Sequence, residues 1–140
     1  MNVMKKNIFI TGLVIFITQL AHAQTPDYRV VFDLTSKDTL DQQALLRWAN
    51  EVAGVTDAKV EVVMYGQGVN MVVKGKSVVE ESILKLLNNK NVSFKACAVA
   101  LKKQNIDKTQ LIPGVEVVPD GIYEIIVKQR EGWGYIKAVH

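Results

Sequence analysis

Apolar runs of strand length alternate with amphipathic helical patterns from Tyr28 to the end of the chain. Five strand-like runs separated by four helices leave few ways to fold. Short links cannot pair such strands antiparallel, so each helix must act as a crossover, giving a parallel sheet with helices on both faces. The strands are read at Tyr28–Leu34, Val60–Tyr65, Val92–Ala96, Val115–Val118 and Tyr135–Val139. The first two have the most continuous apolar runs, as doubly covered strands do. Lys95 and Lys137 alternate with apolar residues in the third and fifth, which implies partial exposure. These patterns do not set the strand order.

The helices carry their own punctuation. Leu40, Ala44, Leu45, Trp48 and Val52 recur at helical spacing, with Asp41, Gln42, Arg47 and Glu51 on the other face, Asp38 or Thr39 to cap the start and Gly54 to end it. Ser77 and Glu80 have capping-box spacing ahead of a helix with Val79, Ile83, Leu86 and Leu87 on one face. A short helix follows the third strand to about Gln104. The last runs from Gly121 to Glu131, with Ile122, Ile125 and Ile126 read as inward and a Glu124–Lys128 pair as outward.

Ahead of this domain, Lys5 and Lys6 precede an apolar stretch from Ile8 to Leu20, and Ala21-His22-Ala23 offers a small-x-small cleavage site. That is a secretory signal pattern, with cleavage expected after Ala23 and a single domain over residues 24–140, periplasmic or secreted. The stretch is short of the ~20 residues a membrane span needs, so no membrane association is expected after cleavage. Removing the leader takes two lysines and no acid from a formal charge of +3, leaving +1. So small a charge gives no electrostatic basis for binding nucleic acid.

Cysteine and histidine counts exclude further classes. Cys97 is the only cysteine, and beyond the leader the only histidine is His140 at the chain end. That pair makes neither a structural zinc site nor a Ser-His-Asp triad, and the residues call for no metal or cofactor. A lone cysteine in an exported chain stays free, pairs with another chain or carries a modification. Cys97 stands where the third strand hands over to a helix. It is either a small buried hydrophobe or a nucleophile favoured as thiolate by the helix N-terminus, with Lys95 at the same pleat parity.

In an open parallel sheet, ligands bind outside the carboxyl ends of the strands. Those ends bring up Thr35 to Asp38, Gly66-Gln67-Gly68, Cys97, and Pro119-Asp120-Gly121. Cys97 is the candidate catalytic residue, and Gly66, Gln67, Gly68, Asp120 and Gly121 are the candidate binding residues. The glycine segment lacks the spacing of a nucleotide-binding loop and reads as a tight turn. Thr35 to Thr39 reads as a helix-capping loop. Trp48 reads as core, and Trp133 as a subunit contact or as packing at the sheet base.

Four segments in order resemble the DsrE/DsrF-like family. They are Tyr65-Gly66-Gln67-Gly68-Val69, then Val92-x-Phe94-x-Ala96-Cys97. Leu111-x-Pro113-Gly114-Val115-Glu116-Val117-Val118-Pro119-x-Gly121 follows, and Gln129-Arg130-Glu131-Gly132-Trp133-x-Tyr135-Ile136 closes the set. The resemblance implies a three-layer α/β/α sandwich on a five-stranded parallel sheet in the order 4-3-2-1-5, and a homo-oligomer, trimer or hexamer. It also implies that Cys97 matches a cysteine that carries sulfur as a persulfide in sulfur oxidation or sulfur relay. The partners would be a thiol-bearing protein or a small sulfur compound. This chain has Tyr65 where relatives often have histidine, and Gln67 where they often have proline. The alternative expectation is a non-catalytic oligomeric module that binds a small ligand or partner, with Cys97 structural.

Overall fold

The computed structural model describes residues 28–139; the leader, its cleavage site and His140 lie outside the described residues. The elements are β1 (Arg29–Leu34), α1 (Thr39–Ala53), β2 (Lys59–Met64), a 3-10 helix (Gly66–Val72), α2 (Glu80–Leu87), β3 (Val92–Cys97), α3 (Ala98–Lys103), a 3-10 turn (Lys108–Gln110), β4 (Glu116–Val118), α4 (Gly121–Arg130) and β5 (Gly134–Lys137). All five strands pair in parallel, in the order β4-β3-β2-β1-β5. The fold is thus the expected α/β sandwich.

This order fixes where the helices lie. From β1 to β4 the chain steps one strand at a time in one direction. Right-handed crossovers then place their connections on one face. The return from β4 to β5 runs the other way, so α4 lies on the opposite face. The first face holds the main core, where Phe32, Leu34, Leu45, Val62, Met64, Ile83 and Phe94 pack with the 3-10 helix and α3. Trp48 packs against this cluster, as its helical phase implied, but the first turn of α1 departs from the expected faces: Leu40 is exposed, and Asp41 and Gln42 are buried. The second face has only a small cluster of Val31, Val63 and Ile125, flanked by Tyr65 and Trp133.

Three more local readings are corrected. Ile122 and Ile126 are exposed, not inward, and only Ile125 of the three is buried. The face of α4 that meets the sheet carries Gly121, Ile125 and Lys128, because the strands beneath present buried carboxylates as well as apolar groups. The Glu124–Lys128 pair exists at 3.7 Å, but Lys128 also reaches Glu61 of the sheet. Ser77 and Glu80 form no capping box. The Ser77 hydroxyl accepts from Val79 N and the Glu80 carboxylate from Gly75 N, so a turn precedes α2 and the helix starts only at Glu80.

The third correction is the Gly66–Gly68 segment, which opens a seven-residue 3-10 helix rather than a plain turn. Gly68 lies directly against β1: a Cβ there would sit 2.2 Å from Leu34 O and 2.8 Å from Leu34 C. Leu34 is fully buried, so this backbone has nowhere to go. Gly68→Ala is expected to lower unfolding free energy by about 3 kcal/mol in denaturant titration. A change below about 0.5 kcal/mol, the level of an uninvolved surface position, would contradict this packing.

Candidate functional site around Cys97

Cys97 ends β3 and is the N-cap of α3, with extended backbone at φ −70° and ψ 120°. Its side chain makes no capping hydrogen bond, and the residue is 4% exposed. It is a free thiol packed into the main core cluster. Its close neighbours come from two other elements. A Cβ on Gly121 would lie 3.1 Å from Cys97 Cβ, 3.2 Å from Tyr65 Cβ and 3.2 Å from Val63 Cγ1. Glycine at the first residue of α4 therefore lets the helix rest directly on the cysteine and Tyr65.

The structure thus joins Cys97 and Gly121, and through Tyr65 reaches the start of the glycine segment. Gly66 packs near Thr35 O instead, and Gln67 lines an open groove with Ser36, Lys37, Asp38 and Thr39. Asp120 serves as the N-cap of α4, its Oδ1 accepting from Ile122 N and Tyr123 N. Asp38 caps α1 in the same way through Leu40 N, as the hydroxyl-rich loop suggested. Lys95 shares the pleat parity of Cys97, but its ammonium is 2.6 Å from Glu116 Oε2. Trp133 packs at the sheet base beside Ile125, with Lys128 Nζ 4.9 Å from its ring centre.

Sequence reasoning missed the polar groups under α4. Asp33 is 2% exposed, and its Oδ2 accepts from Tyr135 OH at 2.7 Å and Tyr65 OH at 3.1 Å. Burial, with the charge and hydrogen bonding of Asp33, pushes both tyrosines up to about 12. Tyr65 therefore keeps its proton at neutral pH. It orients and donates, and it does not serve as the base that a histidine there would supply. Asp33 Oδ1 is buried without a hydrogen-bond partner.

Glu61 is the second missed group. It is 3% exposed, its Oε2 accepting from Ser93 OH at 3.3 Å and lying 3.6 Å from Lys128 Nζ, while Oε1 has no hydrogen-bond partner. Burial pushes its carboxyl up to about 7 against the opposing pull of Lys128, with Glu124 adding to the rise. The available signal was an acid inside an otherwise apolar strand, Asp33 in Val30–Leu34 and Glu61 in Val60–Val63. Among the described residues, no group of three or more histidine, cysteine, aspartate and glutamate side chains can hold a metal ion. No helix among them is long and apolar enough to cross a membrane.

A parallel five-stranded sandwich with one cysteine at the carboxyl edge of β3 defines a class of small α/β domains. The chain belongs to the DsrE/DsrF-like family, whose model matches residues 29–138. A protein of unknown function from Methanobacterium thermoautotrophicum is similar in structure. Its TM-score is 0.73 and its identity 34%, over 79% of this chain and 99% of that one. A conserved protein of unknown function from Bacteroides thetaiotaomicron superposes with TM-score 0.66 at 17% identity, over 83% of this chain and 99% of that one. The ychN protein of E. coli superposes with TM-score 0.62 at 16% identity, over 79% and 98%. The last two likenesses show the fold alone. No curated protein matches the chain.

Glu61 gives the site a pH signature. Its folded pKa is raised above the ordinary 4.5 to about 7, so between those values the folded chain binds a proton that the unfolded chain lacks. Stability then falls as pH rises through that window, and the loss is complete above it. Glu61→Gln removes the ionisation. It is expected to raise the midpoint of denaturation over the parent above pH 7, with the gain vanishing near pH 4.5. A pH-independent difference between the two would contradict the assignment.

Proposed function

We propose that this domain carries a transferable sulfur atom on Cys97 as a persulfide. The observation that carries the reading is the placement of the only cysteine. It lies at the carboxyl edge of β3, as the N-cap of α3 and under the glycine that starts α4. In the first step the Cys97 thiolate attacks the terminal sulfur of a donor persulfide. The donor S–S bond breaks, a new Cys97 S–S bond forms, and the donor leaves as thiolate. An acceptor thiolate then takes the terminal sulfur by the same exchange, so the cycle needs no external oxidant or reductant. A covering helix suits an intermediate that must not meet water or stray thiols.

The leader pattern supports a site of action outside the cytoplasm, periplasmic or secreted. Exposed Ile122, Tyr123 and Ile126 on α4, the helix whose first residue lies against the cysteine, support self-association through that face into a trimer or hexamer. A thiol-bearing protein or small sulfur compound would be the donor and acceptor. One observation favours a second reading. Cys97 is almost wholly buried among apolar groups, which suits a structural thiol in a non-catalytic oligomeric binding module.

Intact-mass spectrometry of the protein from its native compartment separates the two. The carrier reading expects a chain starting at Gln24 with a gain of one sulfur atom that reductant removes and Cys97→Ser abolishes. Light scattering of the same sample should give at least a trimer. Unmodified thiol in every preparation, also after incubation with a persulfide donor, would leave the binding module.

A further inference from the structure

Among the described residues, α4 is the only helix on its face of the sheet, and it is held there by few apolar contacts: Ile125 against Val31 and Val63, with Tyr65 and Trp133 packed alongside. The rest of the seat is ionic. Glu61 projects from β2 with one carboxylate oxygen buried and without a hydrogen-bond partner. From α4, Lys128 stands 3.6 Å from Glu61, 3.7 Å from Glu124 and 3.8 Å from Glu131. From β3, Ser93 donates to Glu61, and Lys95 is committed to Glu116 of β4. On β1 the residue in register is Val31, with Arg29 and Asp33 two positions away on either side. On β2 itself Lys59 and Val63 flank it, and β5 brings Tyr135 and Lys137 against β1.

We propose that Glu61 is a proton-controlled latch that sets how firmly α4 covers Cys97. With Glu61 ionised, a sheet carboxylate and the Glu124 and Glu131 carboxylates of the helix region share the ammonium of Lys128. Surplus negative charge then lies between helix and sheet, where burial makes repulsion costly. With Glu61 protonated, Lys128 faces only Glu124 and Glu131, and the neutral carboxyl has a proton to donate to Glu124. The only chemical change is one proton exchanged with water. The helix has ten residues, and its first residue, Gly121, lies against Cys97 and Tyr65. Acid therefore seats the helix over the thiol, and alkali loosens it. The latch regulates the site of the carrier reading and takes its biological meaning from it, but it acts on thiol access whatever Cys97 carries.

The test compares the full domain with Glu61→Gln and Glu124→Gln, each of which removes one of the opposed carboxylates. Cys97 is labelled with an uncharged alkylating reagent, and at each pH the parent rate is divided by the variant rate, so that ordinary thiol ionisation cancels. The ratio is expected to rise about threefold or more between about pH 5.5 and 8.5, as local opening of a helix permits. Amide hydrogen exchange in α4, corrected for intrinsic rates, should lose protection over the same range in the parent and hold it in the variants. Glu124 is partly exposed, so Glu124→Gln serves even where Glu61→Gln does not fold. A flat ratio with unchanged α4 protection overturns the latch. Because free thiol is labelled, that result is independent of whether persulfide is ever found on Cys97.

Discussion

Among the described residues, a single helix covers one face of a five-stranded sheet. A ten-residue helix is about 15 Å long and about 10 Å across, whereas five strands at ~4.8 Å spacing span about 19 Å. So α4 shields the middle of the sheet and leaves β5 exposed along its whole length. The limit comes from topology. Right-handed crossovers collect α1, α2 and α3 on the other face, and only the return to β5 uses this one. Its apolar core is correspondingly small, and polar residues occupy the strand positions that a second helix would otherwise dry.

Asp33 and Glu61 show two ways of living with that limit. Asp33 is held by two tyrosine hydroxyls that keep their protons, which fixes Tyr65 beside Cys97. Glu61 is opposed by one shared ammonium and pushed up to about 7, so its charge state changes in the neutral range. A charge in this position lowers stability, because desolvation outweighs the attraction of Lys128. It does make the seat of α4 respond to pH. That matters for the cysteine, since the same helix begins at Gly121, in contact with Cys97 and Tyr65. Sulfur transfer through this thiol, as we propose it, then requires the helix to yield and is coupled to the protonation of a residue that never touches the sulfur.

Much of the architecture was legible in the sequence. Alternating strand and helix patterns specify a parallel sheet, and the resemblance supplies its order. The position of Cys97 at a strand-to-helix junction follows from Phe94, Ala96 and Leu101 alone. The orientation of α4 was not legible, since Ile122, Ile125 and Ile126 outweigh Gly121 and Lys128 in any hydrophobic count. Periodicity finds the greasiest face of a helix, and here the sheet below is partly charged. The buried acids were visible as letters, but their significance depends on which face their strands turn toward α4. The close approach of Gly68 to Leu34 depends on how the 3-10 helix packs, which spacing does not encode.

The charge state of Glu61 under α4 is the centre of this account, and it can be observed directly. Carbon-detected NMR of the glutamate side-chain carboxyls, titrated in the folded domain and assigned with Glu61→Gln, reads that one group. Glu61 is expected to titrate with a midpoint near 7, moved down when Glu124 is replaced by glutamine. A midpoint at the ordinary 4.5, unmoved by Glu124→Gln, would contradict it.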